Sequence, residues 1–381
     1  MSTTAELSRE ECRSKVASLI GADCVGIAND AIVARVRDAA QIAEILSFAN
    51  ANGIAVTPFG SGTKQSWGNG VETGIRLDLG AMGELREHAW QDMTCTVEAG
   101  CTWSRMQAEL ARHGQMVALD PLWPERATVG GIVAANDGGS LRLKYGSLRD
   151  LIIGMTVVLA DGTIAKTGGK VVKNVAGYDL HKLMTGSFGT LGVIAEVNFR
   201  LHPLETHTQT WTAKAADPLE FKAALQGLLD SHLTPSSTQL RVSATDCELD
   251  VKIAAPEECI GEHLAKLERT FSNLELKPAA DEVWRYRQEL HGSPDALVLK
   301  VSTLPSDICA LASELRSWAA KADRDMALAA QANGLVTVAL RSSPEDANIC
   351  CALEKSGSAL VQFFSQARRS ASAKSSEALC A

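Results

Sequence analysis

Apolar residues recur at two different spacings along the first half of the chain. From Ala40 to Asn52 they share one helical face and Gly53 follows as a stop signal, which predicts a helix. Trp103 to His113 predicts a second helix. Asp161-Gly162 is a tight-turn pair between β-rich runs, which favours antiparallel pairing over a purely parallel Rossmann sheet. Further apolar runs predict strands at Ile54–Pro58, Ile75–Leu79, Thr94–Ala99, Ile152–Leu159, Thr163–Thr167 and Gly192–Leu201.

Longer amphipathic segments between a few strands fill the second half, after a boundary that we place near Leu204. This order predicts an antiparallel sheet covered by helices, and an α+β fold class for the whole chain. The predicted domains are residues 1–204 and 205–365, followed by a frayed tail over 366–381 that is rich in Ala and Ser. The strands are Gln239–Ser243, Glu248–Ile253, Ala296–Ser302 and Leu335–Leu340, and the helices are Pro256–Phe271, Pro305–Ala320 and Pro344–Phe364.

Composition is that of a soluble globular protein, with 46% hydrophobic and 22% charged residues among 381. Glycine usage separates the halves, since 25 of the 30 glycines lie at or before Gly192. The net charge of -8 gives no overall basic field. We therefore expect a small substrate and no nucleic acid partner.

Neither a membrane span nor a secretory leader is predicted. The most apolar stretch, Leu151–Ala160, has ten residues, whereas a spanning helix needs about 20. The first residues are polar and acidic, so a cytoplasmic location is expected. The ten cysteines form no C-x-x-C pair and no dense cluster, which predicts reduced thiols and no iron–sulfur or cysteine–zinc site.

Three glycine-rich segments carry the candidate chemistry. The first, Thr57–Lys64, follows a predicted strand and could cradle an anion with backbone N–H groups, although it matches neither the Rossmann nor the Walker A spacing. The second, Ala127–Gly139, and the third, Gly186–Ile194, would let backbone approach a flat ligand closely. A plain tight turn and close strand crossings are the structural alternatives.

The order of these segments, with K-V-V-K-N-V-A-G-Y-D-L at Lys170–Leu180, resembles the FAD-binding domain of the vanillyl-alcohol-oxidase/PCMH superfamily. Over about residues 30–204 the sequence is most similar to the FAD-binding E subunits of bacterial glycolate oxidase. Related D-lactate and D-2-hydroxyglutarate dehydrogenases share the outline, including Tyr145–Leu148. The resemblance implies a PCMH-type domain of two α/β lobes, followed by a smaller α+β domain with an antiparallel sheet.

The resemblance also implies which residues bind the cofactor. Gly60–Thr63 would hold the FAD pyrophosphate through backbone donors, and Ile194 would contact the cofactor through backbone atoms. Some superfamily members attach the flavin to a histidine in the first loop, which has none here, so non-covalent FAD is implied. The implied set is Pro58, Gly60, Ser61, Gly62, Thr63, Ala127, Thr128, Gly130, Gly131, Gly138, Gly192 and Ile194.

His181, Arg142 and Arg149 are the candidate catalytic residues. An imidazole beside G-Y-D-L could act as a base on a substrate hydroxyl, and the arginines could pair with a carboxylate. A hydrogen-bonded structural histidine and surface salt bridges are the alternatives. Trp123 is interpreted as structural, and Cys350-Cys351 is assigned no role.

Two segments usual in catalytic relatives are missing from residues 205–381: H-x-G-D-G-N-x-H, which binds metal, and D-P-x-G-x-x-N-P-G. We therefore predict no metal site and no activity of this chain alone. The resemblance implies a glycolate oxidase (glycolate dehydrogenase) complex, peripheral at the inner membrane, with an FAD-containing catalytic subunit and an iron–sulfur subunit as partners. Glycolate or D-lactate would be the 2-hydroxy acid substrate. A free-standing FAD-dependent 2-hydroxy acid or sugar-acid dehydrogenase and a non-catalytic scaffold are the alternatives.

Overall fold

Two sheets and a short ladder make up the first half of the fold. The computed structural model describes residues 7–67, 71–169, 178–292, 296–341 and 360–365. The strands are β1 (Val25–Ala28), β2 (Ala31–Arg35), β3 (Val56–Phe59), β4 (Ile75–Asp78), β5 (Leu85–Ala89), β6 (Thr94–Glu98), β7 (Gln115–Met116), β8 (Ile152–Val158), β9 (Ile164–Gly168), β10 (Val193–Arg200) and β11 (His202–Pro203). The helices are α1 (Arg9–Ile20), α2 (Ala39–Ala51), α3 (Trp103–Ala111), α4 (Val129–Ala134), α5 (Arg142–Tyr145), α6 (Leu148–Leu151) and α7 (Leu180–Met184).

A four-stranded sheet with the order β1-β2-β4-β3 forms the first lobe. Strands β2, β4 and β3 run parallel, whereas β1 and β2 form an antiparallel pair. Helix α2 covers this sheet and confirms the helix predicted from Ala40 to Asn52. Asp38 caps its N-terminus by accepting the Gln41 N–H at 2.9 Å, and its apolar face is buried.

An antiparallel five-stranded sheet with the order β5-β6-β10-β8-β9 forms the second lobe. Strand β8 is buried throughout its length, as its continuous apolar sequence requires. The predicted turn at Asp161-Gly162 connects β8 to β9, and the Asp161 carboxylate accepts the Thr163 N–H at 2.8 Å. The antiparallel prediction is therefore confirmed.

An eight-stranded antiparallel sheet forms the second half, in the order β15-β12-β14-β13-β17-β18-β16-β19. Its strands are β12 (Thr208–Lys214), β13 (Ser237–Val242), β14 (Cys247–Ala254), β15 (Leu276–Ala279), β16 (Ala296–Ser302), β17 (Asp325–Gln331), β18 (Leu335–Arg341) and β19 (Leu360–Ser365). The accompanying helices are α8 (Lys222–Leu229), α9 (Ile260–Thr270), α10 (Tyr286–Leu290) and α11 (Ile308–Lys321). No helix among the described residues is long and apolar enough to cross a membrane.

The two faces of strand β16 have different neighbours. Leu299 and Val301 belong to the large core that helices α8, α9 and α11 form with the sheet. Ala296 and Val298 instead pack with Trp67 from the first half of the chain. Because side chains alternate along a strand, the second face of this sheet meets the first half of the chain.

The helix predicted over Pro344–Phe364 is wrong at its C-terminal end, where Leu360–Ser365 is strand β19 and pairs with β16. A short apolar run fits either a buried strand or a helix, and the β16 edge supplies a hydrogen-bonding partner that periodicity alone cannot show. The rest of that prediction, the Cys350-Cys351 pair and the tail over 366–381 lie outside the described residues.

Strands up to Pro203 pair within the first-half sheets, and strands from Thr208 pair within the eight-stranded sheet. On this basis we propose 1–204 and 205–365 as the domain limits.

Candidate functional site

A cavity of about 710 Å³, here called the flavin cavity, opens where the three glycine-rich segments meet. It is lined by Pro58, Phe59, Gly60, Ser61, Gly62, Thr63, Lys64, Gln65, Leu79, Ala99, Thr128, Gly130, Gly131, Ala134, Ala135, Phe188, Gly189, Gly192 and Ile194. Small side chains and exposed backbone therefore dominate its wall.

The glycines of this cavity do two different things. A Cβ on Gly60 would lie 2.4 Å from Thr128 Oγ1, and one on Gly130 would lie 2.8 Å from Ala99 Cβ, so these two glycines allow the segments to pack together. Gly62 has a φ of +72°, and a Cβ there would meet nothing closer than 3.9 Å. The first loop thus turns with open space beside it, which suits a phosphate-bearing ligand.

Most of the predicted cofactor residues line the flavin cavity, but Ala127 and Gly138 do not. Ala127 is fully buried behind the wall, where its N–H donates to the Trp123 carbonyl at 2.7 Å and its own carbonyl accepts the Trp103 N–H at 3.0 Å. Gly138 lines a second cavity.

That second cavity, the interface cavity, has a volume of about 360 Å³ and lies between the first half of the chain and the eight-stranded sheet. Its walls are Trp67, Leu122, Asp137, Gly138, Arg287, His291, Leu299, Lys300, Gln331, Leu335, Val336 and Thr337. Lys64 connects the two cavities, because it lines the flavin cavity and its Nζ lies 3.1 Å from Asp137 Oδ2.

Buried ionic groups concentrate at the interface cavity. Asp137, with only 2% of its side chain exposed, also pairs with Arg287, whose Nη1 lies 3.0 Å from Oδ1. Arg287 Nη2 donates to the Asp120 carbonyl at 2.8 Å, and Lys300 Nζ donates to the Asn136 carbonyl at a long 3.4 Å. Three cationic side chains thus lie around the Asp137 carboxylate. Two of them, Arg287 and Lys300, line the interface cavity together with this one carboxylate, so the cavity wall carries surplus positive charge.

Burial and charge shift the pKa values of this cluster in opposite directions. Burial alone would raise the pKa of Asp137, but the charges of Lys64 and Arg287 together with hydrogen bonds lower it to about 2. Burial lowers the pKa values of Lys64 and Lys300, and the Asp137 charge opposes this in both. Asp120 lies close by, and burial raises its pKa.

Sequence reasoning missed Arg287, His291 and Lys300. Lys300 could have been found from its place in the apolar run Ala296–Ser302, where it is the one charged residue. Burying an ammonium group costs free energy unless the charge is paired, so a lysine in such a run indicates a charged partner or ligand. No such signal identifies Arg287 or His291, since helix α10 is short and polar. Trp123 lies beside the cluster, with its ring centroid 5.4 Å from Lys64 Nζ. Its backbone N–H donates to Gln288 Oε1 at 2.9 Å.

Comparisons with known proteins fit this geometry. Residues 31–168 match the family described as FAD binding domain. The fold matches p-cresol methylhydroxylase with a TM-score of 0.73 and 16% identity, over 92% of this chain and 88% of that one. An alkyldihydroxyacetonephosphate synthase gives the same TM-score of 0.73 with 13% identity, over 94% and 82%. Residues 31–168 are thus an FAD binding domain, and the fold of the chain is that of PCMH-type flavoproteins. FAD is the cofactor that this domain family binds.

Curated relatives match between 38% and 76% of this chain. Glycolate oxidase subunit GlcD of Bacillus subtilis is 38% identical over 46% of this chain and 37% of its own. Glycolate oxidase subunit GlcE of Escherichia coli is 37% identical over 38% of this chain and 41% of its own. D-lactate dehydrogenase of Archaeoglobus fulgidus is 39% identical over 46% and 40%. The chain thus spans about two fifths of the length of these relatives.

The three catalytic candidates of this flavoprotein do not lie together. Arg149 and His181 line an open cavity of about 1120 Å³ that shares no lining residue with the flavin cavity. Arg149 donates to the Thr185 carbonyl at 3.1 Å, and no hydrogen-bond partner of the buried His181 Nδ1 is found among the residues that the structure describes. Arg142 is close enough to Lys300 for its charge to lower the pKa of that lysine. The flavin cavity and the interface cavity, by contrast, are joined by the contact between Lys64 of the first and Asp137 of the second.

We expect Gly62→Asp to abolish FAD binding, because a carboxylate beside the pyrophosphate adds steric block and like-charge repulsion. Gly53→Asp is the matched control, since Gly53 has a similar φ of +64°, has open space beside it and lies outside the flavin cavity. The measurement is FAD per chain from absorbance, with circular dichroism for the fold. Full FAD content in Gly62→Asp would place the phosphates elsewhere.

Asp137→Asn should lower the free energy of unfolding by about 3 kcal/mol, because it leaves buried cations without their partner. The depressed pKa of Asp137 stabilises the fold above the unfolded-state pKa of about 4, and this contribution is lost as pH falls towards about 2. Urea unfolding should therefore show a smaller difference between wild type and variant at pH 3 than at pH 7. Asp30→Asn, which removes an exposed ion pair, is the control and should cost less than about 1 kcal/mol. Equal losses in both variants would contradict the assignment.

Proposed function

We propose that this chain is the FAD-binding subunit of a complex that oxidises a small 2-hydroxy acid, and that its interface cavity binds the acid. The observation that carries the proposal is the surplus of buried positive charge next to the flavin cavity. A carboxylate is the group that best compensates such a surplus. The names of three relatives, two glycolate oxidase subunits and a D-lactate dehydrogenase, support the same substrate class.

In this proposal FAD binds in the flavin cavity and the acid binds in the interface cavity. FAD bound in the flavin cavity supplies the two-electron acceptor for the oxidation. Among the described residues, one long hydrogen bond is found for the Lys300 ammonium, so this group can hold the acid's carboxylate, and Arg287 adds a second charge. Trp67, Leu122 and Leu335 give the same cavity an apolar wall that excludes water.

We also propose that the chain passes its electrons to a partner. No cluster of possible metal ligands is found among the described residues. The described cysteines are separate thiols, and burial raises the pKa values of Cys95 and Cys247 to about 12. We propose an FAD-containing catalytic subunit and an iron–sulfur subunit as partners, with glycolate or D-lactate as substrate. A free-standing dehydrogenase and a non-catalytic scaffold are the competing functions.

We further propose that the FAD is non-covalent, with Gly60–Thr63 at its pyrophosphate and Thr128, Gly131 and Ile194 along its length. The first loop offers Thr63 and Lys64 but no histidine, and the Lys64 ammonium is held by Asp137. Acid precipitation should release all the yellow colour into the supernatant. Colour retained in the pellet would contradict non-covalent binding, and a protein purified without any flavin would favour the scaffold.

The assembly is tested by dye reduction with glycolate and D-lactate. The isolated chain should reduce its own FAD slowly at most and give no sustained turnover, because residues 205–381 lack the two segments usual in catalytic relatives. No group that could carry electrons onward is found in the part of the chain that the structure describes. Co-expression with the two partner subunits should restore turnover. Robust turnover by the isolated chain would overturn the subunit assignment and favour the free-standing dehydrogenase.

A further inference from the structure

His291 is a buried group that the proposed acid site does not yet use. It follows helix α10 directly, has 5% of its surface exposed and lines the interface cavity. Its ring stacks on Trp67 with centroids 5.6 Å apart and meets Trp123 edge-on at 5.5 Å. These aromatic contacts fix the orientation of the imidazole.

The polar atoms of this ring are available. Within the described part of the chain, no hydrogen bond to the His291 side chain is found, although most buried imidazoles have a partner. Its ring nitrogens are not among the fully enclosed atoms without a partner, and the residue lines the interface cavity. The ring therefore presents a nitrogen to whatever the cavity binds.

The surrounding charges keep His291 neutral. Burial lowers its pKa to about 4, and the charges of Arg287, Lys64 and Lys300 act in the same direction, opposed by Asp137. A neutral imidazole has one nitrogen that accepts a proton. At neutral pH the group is thus in the state that a base requires.

Oxidation of a 2-hydroxy acid requires such a base. The C–H bond at the α-carbon breaks and its electron pair leaves as hydride to FAD, while the hydroxyl O–H bond breaks and its proton goes to a base as the new C=O bond forms. We propose that His291 takes this hydroxyl proton. This inference rests on the proposed function, since it needs an acid in the interface cavity.

The other polar residues of the cavity are less suited to the role. Asp137 is held between two cations, and its low pKa makes it a weak base. Lys300 must stay protonated to hold the carboxylate, and Arg287 is always charged. Gln331 and Thr337 have no basic atom. His291 is the imidazole among the residues that line this cavity.

Binding of the acid would also activate the base. The incoming carboxylate neutralises surplus positive charge around the ring, which raises the pKa of His291 towards the working pH. The same charge that attracts the substrate therefore keeps the base deprotonated until the substrate arrives.

The kinetic test uses the FAD-loaded chain under anaerobic conditions, with flavin bleaching by glycolate and D-lactate followed across pH. His291→Gln should slow bleaching about 10²- to 10⁴-fold and remove its rise with pH, because the amide cannot accept the proton. His263→Gln, on helix α9 and outside the interface cavity, is the matched control. Binding of oxalate, measured from the flavin spectrum, should change much less than the rate.

A second readout does not depend on activity or on the variant folding. In the wild-type protein labelled with ¹⁵N-histidine, saturating oxalate should raise the ring pKa of His291. A ring pKa that oxalate leaves unchanged would overturn the inference. So would a His291→Gln bleaching rate within about 3-fold of wild type, because the expected loss is at least 10²-fold. Complete absence of wild-type flavin bleaching by both acids, even at the slow rate expected of the isolated chain, would instead overturn the proposed function, so the two failures are distinguishable.

Discussion

The Asp137 carboxylate holds together the parts of the structure that matter for function. It binds Lys64 from the first glycine-rich loop and Arg287 from helix α10, and it accepts the Leu122 N–H at 2.8 Å. The first glycine-rich loop, which borders the flavin cavity, and helix α10, which borders the interface cavity, are thus joined at one buried carboxylate. Breaking one contact of such a cluster leaves charge without compensation, so the arrangement is rigid.

Much of the fold could be predicted from local pattern. Helix α2, the β8–β9 hairpin and strands β13 and β14 follow from spacing, capping and turn residues that act within a few positions. The glycine-rich segments could likewise be assigned to one cavity, because the resemblance orders them. Strand β19 escaped prediction because its assignment depends on the β16 edge, which is supplied by a distant part of the chain.

The acid site could not be predicted in the same way. Arg287 and Asp137 are 150 positions apart, and no spacing rule connects them. His181 and Arg149 are catalytic candidates because they lie near the flavin motifs in sequence. In the fold they line a separate cavity. Proximity in sequence to a cofactor motif therefore does not predict which cavity a side chain lines. Neighbouring residues can even face opposite sides of a sheet, as Lys300 and Leu299 do along β16.

The claim on which the account depends is that a small carboxylate binds in the interface cavity beside FAD. A crystal structure of the FAD-loaded chain with oxalate, which resembles the substrate but has no α-hydrogen to lose, tests it most directly. The account predicts the oxalate within hydrogen-bond distance of Lys300 Nζ and beside His291 and Arg287. Oxalate bound instead between Arg149 and His181, with the interface cavity empty, would contradict it.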